Sequence, residues 1–104
     1  MSKQPESLIV NKVIKYIESM KLQGHRVKVR KRHGGPYGTS GEPDIEACID
    51  GKCVQIEMKV PGNKPTILQL RRMSEWSDAG ALVNWFDNYE ATRVWLEHNF
   101  GGDD

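Results

Sequence analysis

Apolar residues first recur at helical spacing. In PESLIVNKVIKYIESMKLQG, Ile9, Val13, Ile17 and Met20 fall on one side with Leu8 and Ile14 beside them. That is the broad stripe of a helix packed on a core. Pro5 suits the first turn, Glu6 complements its positive end, and Gly24 stops the helix. The period then changes to two. HRVKVRK sets Val27 and Val29 against Arg26, Lys28 and Arg30, which predicts a strand with one basic face. RHGGPYGTSGEP is too rich in Gly and Pro for regular structure and predicts a long, mobile, functional loop. Two alternating runs follow, joined by Asp50-Gly51, the pair that a type I′ hairpin turn prefers. PGNKP ends the second run. TILQLRRMSEWSDAG predicts a helix capped by Thr66 and ended by Gly80. ALVNWF predicts a short strand, mostly buried by its composition. DNYEATRVWLEHNF predicts a last helix with Asp87 or Asn88 as N-cap. Residues 99–104 are expected to be a flexible tail. The order α-β-β-β-α-β-α predicts one α/β domain, a central mixed β-sheet flanked by helices.

The hairpin carries the chemistry. A two-residue turn at Asp50-Gly51 sets Ile49 opposite Lys52, Cys48 opposite Cys53, Ala47 opposite Val54 and Ile45 opposite Ile56. The next pair is Asp44 and Glu57. One face then holds Ile45, Ala47, Ile49, Val54, Ile56, Met58 and Val60, and the other holds only polar residues and the cysteines. A one-residue slip would mix the faces, so the register is well specified. Asp44 and Glu57 fall in a non-hydrogen-bonded pair, with Cβ atoms about 4.5–5.5 Å apart. Two unit charges at that distance repel by roughly 3 kcal/mol at an effective dielectric of ~20. A divalent cation turns that repulsion into coordination, and hard oxygen ligands suit Mg²⁺ or Mn²⁺. Lys59 projects from the same face, where it could stabilise a developing phosphorane. The plainer alternative is a solvated strand face on which lysines neutralise the acids.

Composition narrows the class. The chain has 104 residues, 38% hydrophobic and 28% charged, a balance that fits a globular protein rather than a disordered one. No apolar run approaches the roughly 20 residues that span a bilayer, and the N-terminus lacks a secretory pattern. An intracellular protein without a membrane partner is expected. Net charge is only +1, yet Lys21, Arg26, Lys28, Arg30, Lys31 and Arg32 form an acid-free basic stretch that could bind phosphate. Cys48 and Cys53 lack further thiols or a His pair at ligand spacing. They are expected to be reduced, partly buried thiols. Their facing positions permit a disulfide, but strand geometry tends to oppose one.

Gly41-Glu42-Pro43-Asp44, followed by strand, turn and strand and then Glu57-Met58-Lys59, resembles the PD-(D/E)xK nuclease signature. With Glu6 in the first helix, QIEMKVPGNKPT, and Gln69 in the next helix, the chain is similar to the virus-type replication-repair nuclease family, VRR-NUC, over roughly residues 5 to 96. The resemblance implies a restriction-endonuclease-like core that hydrolyses DNA phosphodiesters with Mg²⁺ or Mn²⁺. It makes Asp44 and Glu57 metal ligands, joined by the backbone carbonyl of Met58, with Glu6 as a further ligand. Lys59 would activate the attacking water, and Gln69 would support Lys59 or substrate. Gln55, on the same face, would hydrogen-bond behind the ligands. Arg26, Lys28, Arg30, Lys31 and Arg32 would contact phosphates, and Tyr37 would stack at an opened position. Stand-alone members are associated with phage and bacteria, so the cytoplasm of a bacterial or infected host cell is expected. One site per chain suggests a homodimer that resolves branched, Holliday-type junctions, with part of the set Trp76, Trp85, Trp95, Phe86 and Phe100 as its interface. The alternatives are a monomeric flap or nicking nuclease, or a non-catalytic nucleic-acid-binding module.

Overall fold

Asp50 and Gly51 both take positive φ, 53° and 85°, the geometry of a type I′ turn. The hairpin they close is seen in a computed structural model that describes residues 6–32 and 40–101. Its elements are α1 (Glu6–Ser19), a 3₁₀ turn (Met20–Gln23), β1 (Val27–Lys31), β2 (Ile45–Ile49), β3 (Lys52–Met58), α2 (Ile67–Asp78), β4 (Leu82–Phe86) and α3 (Tyr89–Phe100). The sheet order is β1-β2-β3-β4. β2 pairs antiparallel with β1 and β3, and β4 runs parallel to β3. Register between β2 and β3 follows the hydrophobic alternation: Ile45 faces Ile56, Ala47 faces Val54 and Cys48 faces Cys53.

Sequence signals for helix ends hold. Gly24 takes φ 96° behind the 3₁₀ turn. Thr66 caps α2 in a capping box with Gln69, and Asn88, rather than Asp87, caps α3. The core lies between α1, α3 and the apolar sheet face. It joins Ile9, Val10, Val13 and Ile17 of α1 to Ile45, Ala47, Ile49, Val54, Ile56 and Met58, with Leu96 from α3. Val10 takes the inward place expected of Leu8, which is exposed.

Two expectations change, and the plainer alternative for the hairpin face falls. β4 is only half-buried along its whole length, because it is an edge strand and among the described residues no strand pairs with its outer side. The tail begins later than residue 99, since α3 continues through Phe100, whose ring packs on the core. The polar face of the hairpin is not solvated throughout: β3 is an inner strand, and Gln55 and Glu57 are buried. The expected loop around residues 33–39, with Tyr37, and residues 102–104 lie outside the described residues. Among the described residues no helix is long and apolar enough to cross a membrane.

Candidate active site

Asp44 stands immediately before β2, where the chain joins the sheet. Its backbone carbonyl accepts from Arg32 N–H at 2.7 Å, which extends the β1–β2 ladder by one step. Its carboxylate accepts from Met58 N–H at 2.9 Å through Oδ2. Asp44 is thus pinned against the end of β3, beside Glu57. Glu57 is 1% exposed, and its Oε1 has no hydrogen-bond partner. Burial, and next the Asp44 carboxylate, push its pKa up to about 8. An unpaired buried carboxylate oxygen is costly and rare in folded proteins.

Lys59 answers that charge in part. Its Nζ lies 4.0 Å from Glu57 Oε2 and donates to Gln69 Oε1 at 3.3 Å. The same Gln69 oxygen accepts from Thr66 N–H at 2.9 Å, while Gln69 N–H donates to Thr66 Oγ1 at 3.1 Å. Gln69 therefore serves helix capping and the lysine together, so the start of α2 fixes where the ammonium sits. Glu6 opens α1 within electrostatic reach of Asp44, Lys59 and Lys31, and burial followed by Asp44 raises its pKa. Gly41 has φ 83°, and a Cβ there would meet Leu68 Cγ at 2.8 Å. Only glycine lets α2 approach the Gly41–Asp44 segment this closely.

The fold has counterparts among solved structures. One, a VRR_NUC domain, is 24% identical, with 91% of this chain and 97% of that chain covered at a TM-score of 0.75. Another, a VRR_NUC domain protein, is 16% identical, with 100% of this chain and 94% of that chain covered at a TM-score of 0.71. The chain has the VRR-NUC fold. No protein-family model and no curated protein matches it.

The sequence resemblance implies a divalent metal, and the donor set can be tested for it. Among the described residues no three His, Cys, Asp or Glu side chains gather closely enough to hold an ion by themselves. Glu6, expected as a third ligand, is therefore not part of a side-chain cluster. It is held at the head of α1, near the pair but on another element. What remains is Asp44, Glu57 and the Met58 carbonyl. Mg²⁺ and Mn²⁺ suit such a set, because Mg²⁺ commonly binds one or two carboxylates and takes its other ligands from water and phosphate. The unpaired Glu57 Oε1 is the observation that favours this fit.

The basic residues of the VRR-NUC fold divide into different environments. Lys28 and Arg30 are exposed on the sheet face that carries Glu57, beside a groove of about 300 Å³ lined also by Glu46, Ala47, Cys48 and Cys53. Arg30 is paired with Glu46 at 2.9 Å. Arg26 is exposed at the hairpin end of the sheet, its N–H donating to Asp50 Oδ1 at 2.9 Å. Lys31 points to the opposite side, toward Glu6. Arg32, expected as a phosphate contact, turns inward: Nη1 donates to Pro43 O at 2.7 Å and Nη2 to Gln55 Oε1 at 3.0 Å. Both cysteines are free. Trp76, which composition suggested for the core or a dimer face, instead donates from Nε1 to Glu42 Oε1 at 2.7 Å. That bond was missed in the sequence, where nothing local pairs Trp76 with Glu42.

Proposed function

We propose that this protein is a metal-dependent, structure-selective DNA endonuclease that hydrolyses phosphodiester bonds with Mg²⁺ or Mn²⁺. One observation carries the reading: on a VRR-NUC fold, Glu57 is buried next to Asp44 with its Oε1 unpartnered, beside Lys59. A bound ion would be held by Asp44, Glu57 and the Met58 carbonyl, and would supply a polarised phosphate and a more acidic water. The chain's own groups do the rest. Lys59 sets a positive charge where negative charge grows on the phosphate. Gln69 restrains that ammonium. Lys28, Arg30 and Arg26 give the approaching backbone a cationic surface, and phosphate contacts of this kind position DNA without reading its sequence.

We further propose that two copies act together on branched DNA. A homodimer's two-fold axis matches the two-fold symmetry of a four-way junction and would put a site at each of two strands. The test is incubation of wild type, Glu57→Ala and Lys59→Ala with flap, splayed-arm, four-way-junction and linear duplex DNA in Mn²⁺. Wild type should prefer a branched substrate, and each variant should lose on the order of 100-fold or more in rate. Equal cutting by all three, or none on any DNA, refutes the nuclease reading. Sedimentation in the same buffer should give a dimer, and a monomer that still cuts both strands of a junction in one encounter refutes the pairing.

A further inference from the structure

We infer that Arg32 is a positioning residue for Asp44, not a phosphate contact. Its consequence for catalysis rests on the nuclease reading above, but its structural basis does not. Arg32 follows the end of β1, and its backbone N–H meets Asp44 O at 2.7 Å. Its guanidinium, 20% exposed, then reaches back over the same segment. Nη1 donates to Pro43 O at 2.7 Å and Nη2 donates to the buried Gln55 Oε1 at 3.0 Å. Glu46 Oε2 lies 3.4 Å from Nη2 and Glu42 Oε1 lies 4.0 Å from Nη1. The guanidinium carbon stands 5.3 Å over the Trp76 ring, whose Nε1 donates to that same Glu42 oxygen at 2.7 Å.

These contacts enclose Glu42, Pro43 and Asp44 from several directions. β1 holds the Asp44 carbonyl, the guanidinium holds the Pro43 carbonyl, and α2 holds Glu42 through Trp76. Gln55 anchors the guanidinium itself to β3, two residues before Glu57. One planar fork thus ties the segment bearing Asp44 to the strand bearing Glu57. Lysine cannot copy this, because a point charge lacks the fixed divergent donors. Two neighbouring carboxylates and two engaged nitrogens also leave Arg32 poorly suited to DNA phosphate. What the brace preserves is the Asp44 Oδ2 bond to Met58 N–H, and with it the distance between the two candidate ligands.

The test uses the whole chain with Arg32→Lys and Trp76→Phe, the second of which removes the indole donor to Glu42 and part of the ring beneath the guanidinium. Urea denaturation first shows that each variant folds. Hydrogen exchange in metal-free protein then follows the Met58 amide against those of Val54 and Ile56. In Arg32→Lys, Met58 should exchange about tenfold faster relative to its neighbours, with a smaller change in the same direction for Trp76→Phe. Calorimetry should show Mn²⁺ affinity weakened about tenfold in Arg32→Lys, while KM for DNA stays within about twofold. An unchanged Met58 exchange ratio in both folded variants overturns the inference. So does a raised KM with a salt slope reduced by about one, which is the mark of a lost phosphate contact. If wild type cuts no DNA, the nuclease reading falls, and Met58 exchange still decides the brace. If Arg32→Lys does not fold, Trp76→Phe decides it.

Discussion

Replacing Glu57 by Gln should make the metal-free protein more stable at high pH. The side chain is buried and its pKa is raised from 4.5 to about 8. The folded protein therefore keeps a proton that the unfolded chain gives up once pH exceeds about 4.5. Stability is greatest below that value and falls as pH rises toward about 8, by at most about 1.4 kcal/mol per unit, then levels off. The full shift sets a ceiling of about 5 kcal/mol. Coulomb repulsion of two charges about 5 Å apart gives roughly 3 kcal/mol, and a loss near that lower figure is expected. Glutamine keeps the shape and cannot ionise, so it removes this slope. Urea denaturation in EDTA at pH 5, 7 and 9 measures the effect. The variant and wild type should lie within about 1 kcal/mol at pH 5 and diverge by about 3 kcal/mol at pH 9 in favour of the glutamine variant. Mn²⁺ at 100 times its Kd should restore about 2.7 kcal/mol to wild type and little to the variant. Parallel stability curves across the pH range would refute the reasoning, since they would mean that Glu57 is not held in its neutral form by this site.

Gly41→Ala should lower stability by about 1–3 kcal/mol, because φ 83° strains any L side chain and the new Cβ meets Leu68 Cγ at 2.8 Å. Thermal melting checks it, and adding Leu68→Ala should recover the overlap but not the strain. Lys28→Ala, on the open sheet face, should raise KM for DNA and reduce the salt slope by about one while leaving kcat unchanged. Cleavage rates between about 50 and 200 mM salt decide this, and a fall in kcat alone would remove Lys28 from the binding surface.

Much of this site was legible because its framework is local. The alternation of DIEACI with KCVQIEM, together with Asp50-Gly51, fixes which residues face each other across β2 and β3. The pairing of Asp44 with Glu57 follows from that register alone. Thr66, Asn88 and Gly24 likewise announce helix ends through side-chain chemistry that acts within a few residues. Burial was harder to read, because it depends on elements far along the chain. Nothing in ALVNWF says that it becomes an edge strand beside β3, half-exposed itself while covering Glu57 and Gln55. The surroundings of Arg32 were illegible for the same reason. In sequence it is one more cation in KVRKR, and only the folded chain brings Pro43, Gln55, Glu42 and Trp76 around it.

The same topology explains why a chain this small tolerates a buried acid beside a second one. An edge strand would leave Glu57 in water, with an ordinary pKa and no reason to demand a partner. On an inner strand, backed by the α1–α3 core and flanked by β4, it loses solvent on every side except that of Asp44 and Lys59. Among the described residues the lost hydrogen bonding is confined to one oxygen, since Asp44 accepts from Met58 N–H and Lys59 donates to Gln69. A single unsatisfied atom costs about 1–3 kcal/mol, a fraction of the roughly 5–15 kcal/mol that holds a domain together. The surrounding hydrogen bonds therefore do two things at once. They keep the local strain small enough for the fold to survive, and they leave it concentrated at the one atom where a cation would relieve it.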